Sequence, residues 1–348
     1  MSVKVIDTHA HIFPGDFGPA PAGCDPASWP STEPNPDAEG GKFLLNGPMR
    51  FPAAAVWFDA ERRLEASAAR GLDAELLSPF PALLNYRAPA EAGRDLARVI
   101  NEYIAGLVAA YPGRFYGLGT VPMQDPELAA AELTEVAKAG LAGVEIASNV
   151  NGAGLHQERF DGFWAEADRL GTAVFVHGMP VPSDRVPGPA TATFGVGAEG
   201  ALGAVSIVAG GVAEKYPGLK IAFSHAAGGF PLMLGRANWF WGRTWNGEPP
   251  PPESQRPEAA PWFAEHGPLE LARRFYYDSL VMDHRAIRFL ADLLGTDKLL
   301  VGSDFPAMPR EDPIGKTLRS MGLSDDELSD ILWHNCFRFL GVEPPKLH

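Results

Sequence analysis

The residues with the strongest chemical implication open the chain, where the apolar run Val3-Lys4-Val5-Ile6-Asp7 leads into Thr8-His9-Ala10-His11. Side chains alternate along an extended backbone, so His9 and His11 fall on one side and offer two imidazoles to a common point. Two histidines alone do not hold a catalytic divalent ion. Other strand ends supply candidates: His177 ends the run 173–177, His225 ends 220–225 and Asp304 ends 298–304. A lone histidine at a strand end is most often a hydrogen-bonded structural residue. Five polar groups that all follow apolar strands point to a shared role, because burying them unpaired would cost on the order of several kcal/mol. Imidazole and carboxylate donors suit zinc, with manganese, iron or cobalt compatible with the same set. His225 is the group left to move a proton at neutral pH. The remaining histidines, His156, His266, His284, His334 and His348, stand in loops, at element edges, in the last helix or at the terminus and read as structural or surface residues.

Positioning these groups requires a scaffold that gathers strand ends. Besides the first strand, short apolar runs recur at 74–78, 115–121, 143–146, 173–177, 220–225, 275–278 and 298–304. Helical signals separate them. Asp125-Pro126 supplies an N-cap and a first-turn proline for a helix from Glu127 to Ala139 that stops at Gly140, and Ser324-x-x-Glu327 is a capping box before the final helix. Apolar strands alternating with helices predict a parallel sheet covered by helices. Eight such units predict an α/β fold, a (β/α)8 TIM barrel, with a doubly wound open sheet as the alternative. In such a barrel the active site lies at the carboxyl ends of the strands, where all five groups fall.

The whole chain, 1–348, reads as a single domain with two departures from the alternation. Residues 13–57 are rich in Pro, Gly, Ala and Asp and form an insertion after strand one, outside the core. Residues 238–265 form a Trp/Pro-rich excursion after strand six, with Trp239, Trp241, Trp245 and Trp262 around Pro249-Pro250-Pro251-Pro252. Such an excursion either covers the barrel or forms a subunit interface.

With 46% hydrophobic and 21% charged residues, the chain can bury a large core. Its net charge of −14 argues against a nucleic-acid partner, whereas a few arginines in a cleft can still bind an anionic substrate. Two cysteines, Cys24 and Cys336, without metal or redox spacing fit a reducing compartment. No secretory leader and no membrane-spanning run is evident, which predicts a cytoplasmic protein without a membrane partner.

The motifs Asp7-Thr8-His9-Ala10-His11, the strand-end His177, Ser224-His225-Ala226-Ala227-Gly228-Gly229-Phe230-Pro231 and Gly302-Ser303-Asp304-Phe305-Pro306 resemble the amidohydrolase superfamily. The branch they resemble is that of the aminocarboxymuconate-semialdehyde decarboxylases, and the likeness spans nearly the whole chain. It implies a zinc ion held by His9, His11, His177 and Asp304, with His225 acting on the metal-bound water. It also implies two arginines that grip the substrate carboxylate, Arg50 and Arg236, the latter reaching the site of a neighbouring subunit in a homodimer. Three departures reshape the pocket: Gly178-Met179-Pro180 stands where the family has Pro-Trp, Phe305-Pro306-Ala307-Met308 replaces Tyr-Pro-Phe-Pro, and Asn46-Gly47-Pro48 stands where a lysine is expected. Met179 and Phe305 therefore become candidate substrate contacts.

The resulting expectation is a metal-dependent, non-oxidative decarboxylase of an unsaturated or aromatic carboxylate, such as a carboxymuconate semialdehyde or a hydroxybenzoate. The same residues would serve a hydrolase or hydratase acting on a lactone, amide or double bond. A binding protein on a decayed barrel would lack ligands, and none is missing.

Overall fold

Strands that bury both faces are stable when every edge is paired, and closing the sheet on itself achieves this. The computed structural model describes residues 3–180, 185–244, 246–249, 251–255 and 265–345. Its strands are β1 (Ile6–Ile12), β2 (Ser31–Pro34), β3 (Lys42–Asn46), β4 (Met49–Ala53), β5 (Ala74–Pro79), β6 (Phe115–Gly119), β7 (Gly143–Ala147), β8 (Asn149–Val150), β9 (Ala153–Gly154), β10 (Ala173–His177), β11 (Lys220–Phe223), β12 (Tyr276–Asp278) and β13 (Leu299–Leu300). Eight of them form one parallel sheet in the order β1-β5-β6-β7-β10-β11-β12-β13. Neighbours follow chain order throughout, which is barrel topology and excludes the doubly wound alternative.

The barrel closes through residues just beyond β13 rather than through β13 itself. Thr8 donates its N–H to the Val301 carbonyl at 2.9 Å, Asp304 to His9 at 2.8 Å and His11 to Phe305 at 2.7 Å. Two details of the sequence reading change as a result. His9 and His11 lie within β1 instead of following it, and Asp304 sits past the last paired residue of a two-residue strand.

Helices follow the strands, beginning with α1 (Ala60–Ala68), α2 (Ala90–Ala110), α3 (Pro126–Lys138), α4 (Asp161–Leu170) and α5 (Phe194–Val208). The start of α3 is the one its sequence announces: the Asp125 carboxylate accepts the Leu128 N–H at 3.0 Å, and Gly140 ends the turn with a φ of 84°. Ser324 and Glu327 form the expected capping box, and the chain continues helically to Leu340. Asn335 pins this last segment to the barrel by donating to the Leu299 carbonyl at 2.8 Å.

The insertion is more ordered than its composition suggests. β2, β3 and β4 form an antiparallel sheet with a turn at Asn46-Gly47, where Gly47 holds a φ of 55° that glycine adopts without a Cβ penalty. Phe13, Phe17, Trp29, Leu44 and Trp57 are buried and join the main apolar cluster, so part of 13–57 belongs to the core after all. The excursion after strand six begins later than expected, because Asn238 and Trp239 still belong to the helix Phe230–Phe240. Trp241 packs half-buried against the core, whereas Trp245, Pro250, Trp262 and the terminal His348 lie outside the described residues.

Residues 188–208 correct a further expectation: a short 3-10 turn running into α5, they contain an 18-residue window of mean hydropathy 1.3, long and apolar enough to cross a membrane by length and composition. Many of them face the barrel instead, with Gly200, Gly203, Ala204 and Ile207 buried. Glu199 interrupts the apolar run in the sequence, which is why the stretch does not stand out there.

Beneath the site residues lies a buried ion cluster. Arg63 Nε donates to Glu75 at 2.8 Å, and Arg310 donates to Glu75 at 2.6 Å and to Asp7 at 3.0 Å. Burial pushes both carboxyls up; the two guanidiniums overcome this at Glu75, which is held below its ordinary range, but not at Asp7. The cluster ties β1, β5, α1 and the segment after β13 together, and Arg63 also donates to the His11 carbonyl at 2.7 Å. Removing one partner would strand a buried charge. We expect Arg310→Met to lower unfolding free energy by about 3 to 5 kcal/mol in chemical denaturation. A loss below roughly 1 kcal/mol would show that the cluster contributes little to the fold.

Candidate metal centre

Each strand end delivers its group for a local reason. His9 and His11 project to the same face of β1, and both are buried. Gly302 lets β1 approach closely, since a Cβ there would lie 2.8 Å from the His9 Cβ. His225 follows β11 in a left-handed turn with φ 51° and ψ 39°, an uncommon conformation that the surroundings must impose. Gly228 completes that turn at a φ of 53°, and a Cβ on it would come within 1.8 Å of the Gly197 carbonyl oxygen of α5. Asp304 also sits at positive φ, 57°.

The buried carboxylate of Asp278, at the end of β12, organises the imidazoles. One oxygen lies 2.7 Å from His9 Nδ1 and accepts the His225 N–H at 2.9 Å, while the other accepts the N–H groups of Ala226 at 2.9 Å and Leu280 at 3.1 Å. His11 Nδ1 lies 2.9 Å from the Pro79 carbonyl, which can only accept. Both Nδ1 atoms are therefore donors, and each Nε2 is left as a lone pair in the neutral ring.

Those lone pairs converge. His9 Nε2 and His11 Nε2 are 3.1 Å apart, and Asp304 Oδ1 lies 3.1 Å from His11 Nε2 and 3.7 Å from His9 Nε2. His177 is buried with neither ring nitrogen hydrogen-bonded among the described residues, and its ring centroid is 5.1 Å from that of His9 and 5.0 Å from that of His11. One donor atom from each of these four residues fits within a 4.8 Å group. Facing acceptors at such distances repel unless a cation lies between them, and three imidazoles with one carboxylate are a donor set for a divalent metal.

The electrostatics agree. Burial opposes a charged His9, yet the Asp278 hydrogen bond and neighbouring carboxylates push it up to about 9, so the site attracts positive charge. Burial and the adjacent imidazoles drive His177 well below its ordinary value and keep the ring neutral, with one nitrogen lone pair free. Burial would raise Asp304, but the imidazoles of His11, His225 and His9 that face it hold it well down as a carboxylate.

His225 stands apart from the group of four. Its Nδ1 is 3.0 Å from Ser224 Oγ, and its Nε2 is 3.6 Å from Asp304 Oδ2. Its own side chain is 12% exposed, so it is the imidazole of the set with access to the cleft.

The structure separates the remaining candidates. Arg50 is exposed on β4 and paired with Glu33 at 3.0 Å. Arg236 is exposed on the helix Phe230–Phe240, 4.7 Å from the Phe240 ring. Met179 lines a cavity together with Ala147 and Ser148, and the Phe305 ring lies 3.9 Å from the buried Arg310 guanidinium. Of the other histidines, His156 bonds to Ser206 at 2.8 Å and His266 to Glu214 at 2.9 Å.

Two buried acids escape the sequence reading. Asp278 is the final residue of an apolar run, the same signal that marks His177, so it was open to detection. Glu145 on β7 has its carboxyl 3.7 Å from His11 Nδ1 and without a hydrogen-bond partner among the described residues, and burial holds that carboxyl above its ordinary range. Its position between Val144 and Ile146 gives no outward sign of that role.

Comparison with known proteins follows the same lines. The amidohydrolase family profile matches residues 6–342. The chain is 31% identical to 2-amino-3-carboxymuconate-6-semialdehyde decarboxylase of Dictyostelium discoideum over 98% of its own length and 92% of the relative's. It is 26% identical to gamma-resorcylate decarboxylase of a Polaromonas species, over 79% of this chain and 85% of that one. Its fold is similar to that of 5-carboxyvanillate decarboxylase from Sphingomonas paucimobilis, with a TM-score of 0.77 at 23% identity and 98% and 100% of the two chains covered. It is also similar to a Polaromonas dihydroxybenzoic acid decarboxylase solved with bound manganese, with a TM-score of 0.73 at 22% identity and 98% and 97% covered. The chain belongs to the amidohydrolase family, in the branch of the aminocarboxymuconate-semialdehyde decarboxylases.

Proposed function

We propose that this chain is a metal-dependent, non-oxidative decarboxylase of an unsaturated or aromatic carboxylate. The observation that carries the reading is the convergence of unshared lone pairs from His9, His11, His177 and Asp304 beside a separate, accessible His225. Near-full-length similarity to an aminocarboxymuconate-semialdehyde decarboxylase supports the reaction class.

The four residues would hold a divalent ion. Zinc suits three imidazoles and a carboxylate, and a fold relative carries manganese. Bound there, the ion supplies positive charge that holds substrate oxygens and offsets the charge developing on them. His225 has its Nδ1 engaged by Ser224, so Nε2 delivers the proton to the carbon that bears the departing carboxylate. The bond from that carbon to the carboxylate then breaks, carbon dioxide leaves, and the carbon keeps the proton. Asp278 holds His9 and the His225 backbone in place throughout.

The reading includes a homodimer in which Arg236 serves the neighbouring site. Leu232, Met233 and Trp239 are exposed at 70%, 52% and 39% beside it, an apolar surface that association would cover. It also includes a cytoplasmic location, supported by the free thiols of Cys24 and Cys336.

Carbon dioxide release by the metal-loaded protein, from a panel of hydroxybenzoates and carboxymuconate semialdehydes, tests the reaction. Turnover of a lactone with no panel member decarboxylated would replace it by hydrolysis. Metal analysis separates ligand from proton carrier: His225→Ala should keep its ion and lose at least about a hundredfold in turnover, whereas Asp304→Ala should lose both. Release of the ion by His225→Ala would merge the two roles. Mixing inactive Arg236→Ala with inactive His225→Ala should restore up to about a quarter of wild-type activity if the arginine acts across a two-fold interface. A fully active monomer in light scattering would contradict the shared site.

A further inference from the structure

His225 lies among the candidate ligands without joining them. Its ring centroid is 5.2 Å from that of His9 and 5.1 Å from that of His177, and its Nε2 stands 3.6 Å from Asp304 Oδ2. What sets it apart is decided on the other side of the ring, where Nδ1 meets the Ser224 hydroxyl at 3.0 Å. Ser224 is the residue after β11 and is fully buried.

A hydroxyl has one hydrogen to donate and two lone pairs to offer. The Gly178 N–H, which can only donate, takes one lone pair of Ser224 Oγ at 3.0 Å. That donor is held in place: Gly178 follows His177 at the end of β10, and a Cβ on it would come within 2.2 Å of the Val196 carbonyl oxygen of α5. The Ser224 hydrogen then needs an acceptor, and among the described residues His225 Nδ1 is the one Oγ reaches. An unpaired hydroxyl hydrogen is unfavourable in a buried site, so Ser224 donates and Nδ1 accepts. In the neutral ring the proton is then on Nε2.

His11 shows the opposite arrangement beside a similar neighbour. Ser78 Oγ lies 3.1 Å from His11 Nδ1, but this nitrogen also faces the Pro79 carbonyl at 2.9 Å, and the Ser78 hydroxyl has a second acceptor in the Ala10 carbonyl at 3.4 Å. His11 Nδ1 therefore keeps its hydrogen and its Nε2 is a lone pair. At His225 no carbonyl competes among the described residues, so Nε2 carries an N–H in place of a lone pair. An N–H cannot ligate a cation.

We propose that Ser224 is a positioning residue: its hydroxyl fixes His225 as the Nε2–H tautomer and so keeps this imidazole free as a proton carrier instead of a fifth ligand. The consequence for turnover rests on the decarboxylase reading; the tautomer does not. Nitrogen NMR of isotope-labelled, zinc-loaded protein reads the tautomer directly, with the His225 signals assigned by their loss in His225→Gln. The wild type should show a protonated Nε2 and a bare Nδ1 in the neutral His225 ring. Ser224→Ala should populate the Nδ1–H form, and Ser224→Thr, which keeps the hydroxyl, should retain the wild-type pattern. In Ser224→Ala kcat should fall about tenfold to a hundredfold at nearly unchanged KM, with recovery in Ser224→Thr. A bare or metal-bound Nε2 in the wild type, an unchanged tautomer in Ser224→Ala, or full turnover by that variant would overturn the proposal. The expected tautomers in wild type and variants, without carbon dioxide release from any panel substrate, would instead remove the decarboxylase reading and leave the role of Ser224 standing.

Discussion

One buried carboxylate, Asp278, sets the geometry on which this protein depends. It faces His9 Nδ1 and accepts three backbone N–H groups, those of His225, Ala226 and Leu280. Burial alone would raise its carboxyl, but the His9 contact, the charge of nearby His225 and the backbone donors hold it below its ordinary range. That compensation fixes the His9 tautomer and imposes the left-handed turn that presents His225. A single side chain thus couples the orientation of a candidate ligand to that of the candidate proton carrier.

A second constraint acts from below. The barrel closes where β1 meets the segment after β13, and Asp304 belongs to that seam through its N–H to the His9 carbonyl at 2.8 Å. The Arg63, Arg310, Glu75 and Asp7 cluster lies under the same seam, and its arginines flank the Phe305 ring at 5.3 and 3.9 Å. Closing the barrel and placing the fourth candidate ligand are therefore the same structural event. The charges sit in a low-dielectric environment, where any loosening would leave one of them without a partner.

Much of this was legible in the sequence because strand ends announce themselves: His9, His11, His177, His225 and Asp304 all follow or end apolar runs, and the structure brings them together. What escaped detection depends on distance along the chain or on register. Arg310 meets Asp7 across 303 positions, which no local pattern encodes. Glu145 is hidden among apolar neighbours in a strand buried along its whole length, where inward and outward positions look alike. The insertion carried a readable hairpin signal at Asn46-Gly47, but its spread-out buried aromatics obscured its share of the core. The pairing of Arg50 with Glu33 is a contact within the insertion that the motif around Arg50 does not contain.

The central claim is that four converging donors form one divalent-ion site. Calorimetric titration of chelator-treated protein with manganese or zinc tests it most directly. One ion should bind per chain, with binding abolished in His177→Ala, since the His177 ring nitrogens have no other partner among the described residues. Absence of binding by the wild type, or unchanged binding by His177→Ala, would contradict it.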